Sequence, residues 1–392
     1  VAPGNAGTAE LGENVPVMAD DLDGLLAIAK TRSIDLTVVG PEQPLIDGIS
    51  ELFQRHGLKI FGPSKNAARI EGSKIWSNDL MVKYAIPTAD SVAFSESKKA
   101  IDYALARPEG SLVVKADGPA AGKGVLLPDT YEDLEIAVKG MLDGASFGES
   151  SSSLLLAERM SGPEVSVFAF LDGETVSAEI AACDYKRIGE GDTGLNTGGV
   201  GAYTPPEFWT DELADRVRME ILEPTARALV AENSAYSGVL YVGLMITSSG
   251  PRVIEFNCRL GDPECQVLMP KLVNDFLEIC LAVAEGRLGQ QEVIWSDLAC
   301  TFVVMTSDGY PGNYETGATI TGVQQASEHG LVVHAGTSKQ SDGALVTDGG
   351  RVLGVVGSGE TIGGSRVAAY AGVEKIFFRG ARFRRDIAER AI

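Results

Sequence analysis

The run Lys115-Ala116-Asp117-Gly118-Pro119-Ala120-Ala121-Gly122-Lys123-Gly124-Val125 sits between two apolar stretches and has the composition of a phosphate-binding loop. Glycines let successive backbone N–H groups turn toward phosphate oxygens, and lysines add the charge that a polyphosphate needs. Lys115, Gly122, Lys123 and Gly124 are therefore candidate phosphate contacts. The run is not a P-loop. Three residues separate Gly118 from Gly122, Gly124 stands where that motif has Ser or Thr, and an apolar strand follows where it has a helix. An ordinary hairpin loop is the plain alternative.

A second constellation is Val253-Ile254-Glu255-Phe256-Asn257-Cys258-Arg259. Side chains alternate along a strand, so Glu255 and Asn257 share one face while Ile254 and Phe256 point to the core. Two neighbouring oxygen donors suit a hard divalent cation that also takes phosphate oxygens, and Arg259 follows on the same face, placed to hold an anion. Met160 and Glu158 end a strand-like run before Ser161-Gly162-Pro163-Glu164, a hinge whose backbone could meet an adenine edge, with Glu164 accepting from ribose hydroxyls. The run Asn196-Thr197-Gly198-Gly199 lies in a long Gly-rich stretch, 189–203, that is costly to order unless it lines a ligand; Lys186 and Arg187 precede it. The three His, at 56, 329 and 334, fall outside all of these runs, which argues against zinc and His-based nucleophilic catalysis. Lys, Arg, carboxylate and backbone amide remain, a set suited to phosphoryl transfer.

These residues need elements to hold them. Helical patterns over 21–31 and 45–56 alternate with apolar strands at 36–40 and 59–62, which predicts a small α/β domain with a parallel sheet. A helix over 73–84 leads into an α+β lobe at about 91–160, containing strands at 112–115, 125–127 and 154–157 and a helix over 131–142. Hairpins are expected at 165–181, around Asp172-Gly173, and at 240–257, around Ser248-Ser249-Gly250, with helices over 210–233 and 275–285. The remainder, 298–392, reads as strand- and turn-rich. The expected division is an N-terminal substrate domain at 1–72, a two-lobed nucleotide-binding domain at 73–290 with a mobile lobe at about 91–160, and a β-rich domain at 291–392.

With 392 residues, 44% of them hydrophobic, the chain can bury more than one core. Its net charge of −21 argues against a nucleic-acid surface. The five Arg between 379 and 390 read as a solvated face, because Asp386 and Glu389 interrupt them. Five widely spaced Cys, no signal peptide and no long apolar run point to a reduced, cytoplasmic protein without membrane contact. The chain opens at Val1 on what reads as a strand end, and a preceding strand and loop are expected.

Taken in order, the motifs resemble the phosphoribosylamine–glycine ligase (glycinamide ribonucleotide synthetase) family of ATP-grasp enzymes. The resemblance rests on Ala2-Pro3-Gly4-Asn5-Ala6-Gly7, Gly40-Pro41-Glu42, Glu71-Gly72-Ser73-Lys74, the 115–124 run, Asn196-Thr197-Gly198-Gly199 and Asn257-Cys258-Arg259-Leu260-Gly261-Asp262-Pro263-Glu264. Family members carry Phe at position 260 and Leu at 119, where this chain has Leu and Pro. The resemblance implies a multidomain α/β and α+β fold: a truncated Rossmann-like N-terminal domain, a two-lobed ATP-grasp domain and a small β-rich C-terminal domain. It also implies ATP-dependent joining of glycine to 5-phosphoribosylamine through a glycyl phosphate, in purine synthesis. Lys74 and Lys115 would neutralise ATP phosphates, Glu255 and Asn257 would hold Mg²⁺ or Mn²⁺, and Arg259 would steady the glycine carboxylate. Asn5 and Glu42 would face the sugar phosphate, with Asp184, Asn196, Thr197, Gly198 and Asp262 as further substrate contacts. The expected partners are these small molecules, and a monomer is expected. Another ATP-grasp carboxylate–amine ligase or carboxylase, or a non-catalytic nucleotide-binding relative, is the alternative.

Overall fold

Residues 164–172 set the frame. Val165, Val167, Ala169 and Leu171 enter one core while Phe168 and Phe170 enter another, so the strand Glu164–Asp172 is apolar on both faces and must lie inside the molecule. The computed structural model describes residues 1–118, 124–144 and 152–392. In it this strand is third along a ten-stranded antiparallel sheet. The main path runs Gly250–Asn257, Ser237–Thr247, Glu164–Asp172, Ile180–Asp184, Gly201–Thr204, Ala299–Ser307, Arg351–Gly359, Leu331–His334. The segments on either side of residue 290 thus meet in one continuous sheet, through the pairing of Gly201–Thr204 with Ala299–Ser307.

The lobe Ser91–Glu158 is built separately. Its four strands follow the order Ser91–Phe94, Leu154–Glu158, Leu112–Ala116, Val125–Leu126, and the helices Ser97–Leu105 and Tyr131–Leu142 cover them. Leu112, Val114, Ala116, Leu134, Val138, Met141, Leu154 and Leu156 form a core of their own. A lobe with its own core can shift as a body without opening the main one. The N-terminal region carries the expected parallel pair, Thr37–Val38 with Ile60–Phe61.

Three expectations change. The helix predicted over 45–56 is two helices, Glu42–Asp47 and Ile49–Arg55, because Gly48 takes a left-handed φ of 97° and ends the first. The helix predicted over 210–233 is interrupted by a π-turn at Arg218–Leu222, immediately ahead of Pro224. The last region also holds a helix, Ile362–Val373, that its three glycines obscured. Packing outweighs propensity there: a Cβ on Gly357 would lie 2.1 Å from the Ser365 carbonyl oxygen, so the bare glycine lets the helix lie against its strand.

The arginine-rich tail is exposed, as expected, at Arg379, Arg382, Arg385 and Arg390, but not at Arg384. The Arg384 side chain is 2% exposed and ion-pairs Asp386 and, at 2.8 Å, Asp192. It also donates to the Arg187 carbonyl, while Asp386 accepts from Gly191 N–H at 2.8 Å. Sequence spacing showed Asp386 as an interruption, and the fold makes it the partner. All five cysteines are free, and no helix among the described residues is long and apolar enough to cross a membrane. Replacing Arg384 with Met leaves Asp386 and Asp192 unpaired and should lower the unfolding free energy by about 3 kcal/mol in denaturant titration. A loss below about 0.5 kcal/mol would show that the tail does not hold residues 187–192 in place.

Candidate active site

The antiparallel pair Ser237–Thr247 and Gly250–Asn257 places Asn257 opposite Tyr241 and Glu255 opposite Gly243. Phe256 is buried in the core, so Glu255 and Asn257 turn the other way, into a cavity of about 940 Å³ between the lobe and the main sheet. The Glu255 carboxylate makes no hydrogen bond or ion pair among the described residues. Lys115, on the facing strand Leu112–Ala116, is buried and donates to the Ile254 carbonyl at 2.8 Å. Burial pulls its pKa below the ordinary value, opposed by Glu255 and reinforced by Lys74.

Lys74 is the first residue of the helix Lys74–Lys83, whose Ser73 cap accepts from Trp76 N–H at 3.1 Å. The Ser73 hydroxyl donates to Asp117 at 3.0 Å, and Asp117 also accepts from Ile75 N–H at 3.2 Å. Asp117 therefore ties a helix N-terminus to the end of the Lys115 strand. The Lys74 ammonium donates to the Gly118 carbonyl at 3.3 Å. Gly124 lines the cavity; Gly122 and Lys123 lie outside the described residues.

Beyond the hinge, Glu164 and Lys186 come together at 3.4 Å, and Lys186 pairs more closely with Asp184 at 2.7 Å. Burial works against the Lys186 charge, but Asp184, Tyr241 and Glu164 outweigh it and raise the ammonium well above its usual pKa. Met81, Val125, Leu127, Leu155 and Ala157 give this end of the cavity an apolar wall. Glu158 and Met160 are not on it. Glu158 is exposed at the strand end, 3.4 Å from Arg252.

The opposite end is charged throughout. Arg259 pairs with Glu42 at 3.0 Å and Glu71 at 3.3 Å, and contacts the Asn257 side-chain oxygen at 3.4 Å. Burial raises the Glu71 pKa, partly offset by Arg259 and by the Cys258 N–H, which donates to it at 2.7 Å. Arg259 and Glu42, expected to meet two different substrates, thus meet each other. Glu264 is fully enclosed and accepts from Tyr241 at 2.9 Å and Ser166 at 3.0 Å. Burial, with Asp184 adding to it, raises its pKa to about 7.

Where a long glycine-rich loop was expected, Arg187–Gly189 and Thr193–Asn196 form a short hairpin. Asn196, Thr197, Gly198 and Asp262 line the cavity, and so do Glu42, Asp184 and Arg259. Asn5 does not. Its amide donates to the His334 and Ala335 carbonyls at 2.9 and 3.0 Å, and its oxygen accepts from Gly7 and Thr8 N–H, so it fastens the N-terminal turn. Glu71, Glu264, Tyr241, Arg351 and Arg390 were not among the predicted site residues, yet all line the cavity. Glu71 and Glu264 stand inside runs already conspicuous in the sequence. Arg351 and Arg390 belong to no local pattern and reach the site only through the fold.

The chain matches the phosphoribosylglycinamide synthetase N domain over residues 1–71, the ATP-grasp (A) domain over 72–265 and the C domain over 300–390. It is 45% identical to phosphoribosylamine–glycine ligase of Pasteurella multocida over 395 residues, covering 100% of this chain and 92% of the relative. Identity to the Yersinia pestis ligase is 44% over 397 residues, with the same coverage. The crystal structure of phosphoribosylamine–glycine ligase from Thermotoga maritima superposes with a TM-score of 0.85 at 33% identity, covering 99% of this chain and 93% of that one. A biotin carboxylase domain from Hydrogenobacter thermophilus shares the fold alone, with a TM-score of 0.69 at 15% identity over 93% of this chain and 79% of that one. On sequence, domain order and fold together, the chain belongs to the phosphoribosylamine–glycine ligase family of ATP-grasp enzymes.

Proposed function

We propose that the cavity joins glycine to 5-phosphoribosylamine at the expense of ATP, giving glycinamide ribonucleotide, ADP and phosphate. The observation that carries this reading is the shared opening of Glu255 and Asn257, two oxygen donors two residues apart, onto the same cavity as the buried Lys115 and the helix-start Lys74. A glycine carboxylate oxygen attacks the γ-phosphorus and ADP leaves, forming glycyl phosphate. The phosphoribosylamine nitrogen then attacks the acyl carbon, phosphate departs with the bonding pair, and the nitrogen releases a proton.

The apolar wall from Met81 to Ala157 suits an adenine ring, with Glu164 and Lys186 beside it for ribose and phosphate. Lys74 and Lys115 meet the phosphates, whose negative charge offsets the desolvation of the Lys115 ammonium. Glu255 and Asn257 fit a divalent cation, Mg²⁺ or Mn²⁺: they are hard oxygen donors, and the carboxylate has no competing partner among the described residues. Among those residues no cluster of three His, Cys, Asp or Glu could hold a metal by itself, which suits an ion completed by substrate phosphates. When bound, such an ion withdraws charge from the phosphoryl oxygens. Arg259, Glu42, Glu71, Asp184, Asn196, Thr197, Gly198 and Asp262 form the acceptor side. We place the enzyme in the cytoplasm as a monomer acting on small molecules only.

Replacing Glu255 with Gln keeps the shape and removes one charge. It should lower kcat by about 100- to 1000-fold while leaving the melting temperature within a few degrees. Unchanged turnover at low metal concentration would show that Glu255 does not hold the ion. The raised pKa of Glu264 has a definite sign. Stability drawn from its protonated form is complete below the ordinary carboxylate pKa and is lost as pH rises through about 7. Glu264→Gln should therefore become more stable relative to the unmodified chain between pH 5 and about pH 8 in paired melting curves. A constant difference over that range would mean that Glu264 is ionised throughout.

A further inference from the structure

Arg351 opens the strand Arg351–Gly359, far in sequence from every run that suggested chemistry. Its guanidinium spans two loops at the charged end of the cavity. One terminal nitrogen donates to the Gly198 carbonyl at 2.6 Å, the Gly199 carbonyl at 3.3 Å and one Asp262 oxygen at 3.1 Å. The other donates to the second Asp262 oxygen at 2.7 Å. Fork-to-carboxylate geometry of this kind fixes direction as well as distance. Tyr310 completes the hold, its hydroxyl accepting from Gly198 N–H at 3.1 Å.

The approach is close. A Cβ on Gly198 would stand 3.1 Å from the guanidinium carbon, and Gly199 has a left-handed φ of 102° that places Pro263 against it. Both terminal nitrogens of Arg351 are committed to protein oxygens, which leaves them poorly placed to bind a substrate anion. What Arg351 holds, however, is the pair of segments that carry Asn196, Thr197, Gly198 and Asp262. Lys74 and Lys115 touch none of this network, and where it meets Lys186 it does so at that residue's backbone carbonyl, which accepts from the Thr197 N–H at 2.8 Å and hydroxyl at 2.9 Å, not at the ammonium.

We infer that Arg351 is a positioning residue: it locks the 197–199 turn to Asp262 and thereby sets the half of the cavity that receives glycine and the phosphosugar amine, without a part in binding nucleotide. The inference rests on the ligase reading above and adds a role for the C-terminal region within it. A shift of about 1 Å in such a wall is enough to cost about 100-fold in rate, because the amine must approach the face of the acyl carbonyl at close range and with its lone pair aligned.

The test uses the full chain as unmodified protein, Arg351→Lys, Arg351→Met, Asp262→Asn and the Arg351→Met/Asp262→Asn double variant. Initial rates with each substrate varied in turn separate KM from kcat, and calorimetric titration with ADP and Mg²⁺ reads the nucleotide half alone. Nucleotide affinity should stay within about twofold in every variant, while kcat/KM for glycine and phosphoribosylamine falls about 100-fold in Arg351→Met. Arg351→Lys should recover only part, since a point charge does not reproduce the fork. The double variant should lie within about twofold of the worse single one, as for residues acting as a unit. If Arg351→Met does not fold, Asp262→Asn cuts the same contact from a side chain that is 57% exposed. Unmodified kcat/KM in these variants, multiplicative losses, or a fall in nucleotide affinity that matches the fall in rate would overturn the role. No glycine-dependent turnover by the unmodified chain would instead refute the ligase reading itself.

Discussion

Placing the Lys115 ammonium where little water reaches it is the constraint around which the site is arranged. A buried cation is costly unless it has oxygen partners. Lys115 has one fixed partner, the Ile254 carbonyl, and two carboxylates in its field, Glu255 and, more weakly, Glu164. All three lie on strands of the main sheet, whereas Lys115 belongs to the separately cored lobe. The contact that stabilises the charge is therefore also a contact between the two bodies that bound the cavity. A polyphosphate bound as proposed would add its charge to that of Glu255 and Glu164 beside this ammonium.

The same logic governs the rest of a chain with a net charge of −21. An acidic protein that binds anions needs its cations inside the cleft and its carboxylates controlled. Lys186 is held by Asp184 and Glu164, Arg259 by Glu42 and Glu71, and Arg351 by Asp262. Glu264 is controlled by another route, enclosure with two hydroxyl donors that tolerate its neutral form. Lys74 and Lys115 thus make no ion pair among the described residues, while Arg259 and Arg351 sit in matched pairs that fix shape.

Much of this was legible in the sequence, for local reasons. Period-two alternation exposed Glu255 and Asn257 together, and a glycine-rich turn after an apolar strand marked Lys115. The helix predicted over 73–84 put Lys74 at a helix start, where the fold has it. What was not legible depends on long-range pairing. The family resemblance made Asn5 a substrate contact, yet its amide is consumed by the backbone at 334–335. Arg259 and Glu42 were each read as waiting for an anion or a sugar, and only the fold shows that they satisfy one another. Arg384 seemed solvated because Asp386 interrupts the basic run, when that carboxylate is what permits its burial. The helix Ile362–Val373 was hidden by its glycines, of which Gly372 is closely packed, a Cβ there standing 2.7 Å from Val355.

The central claim is that glycine is activated by phosphorylation in this cavity before the amine captures it. Glycine labelled with ¹⁸O in both carboxylate oxygens tests it most directly, with mass spectrometry of the released phosphate and the amide product. The account predicts one ¹⁸O in each phosphate released and one retained in the amide carbonyl. Phosphate free of label, with turnover still dependent on glycine and phosphoribosylamine, would contradict it.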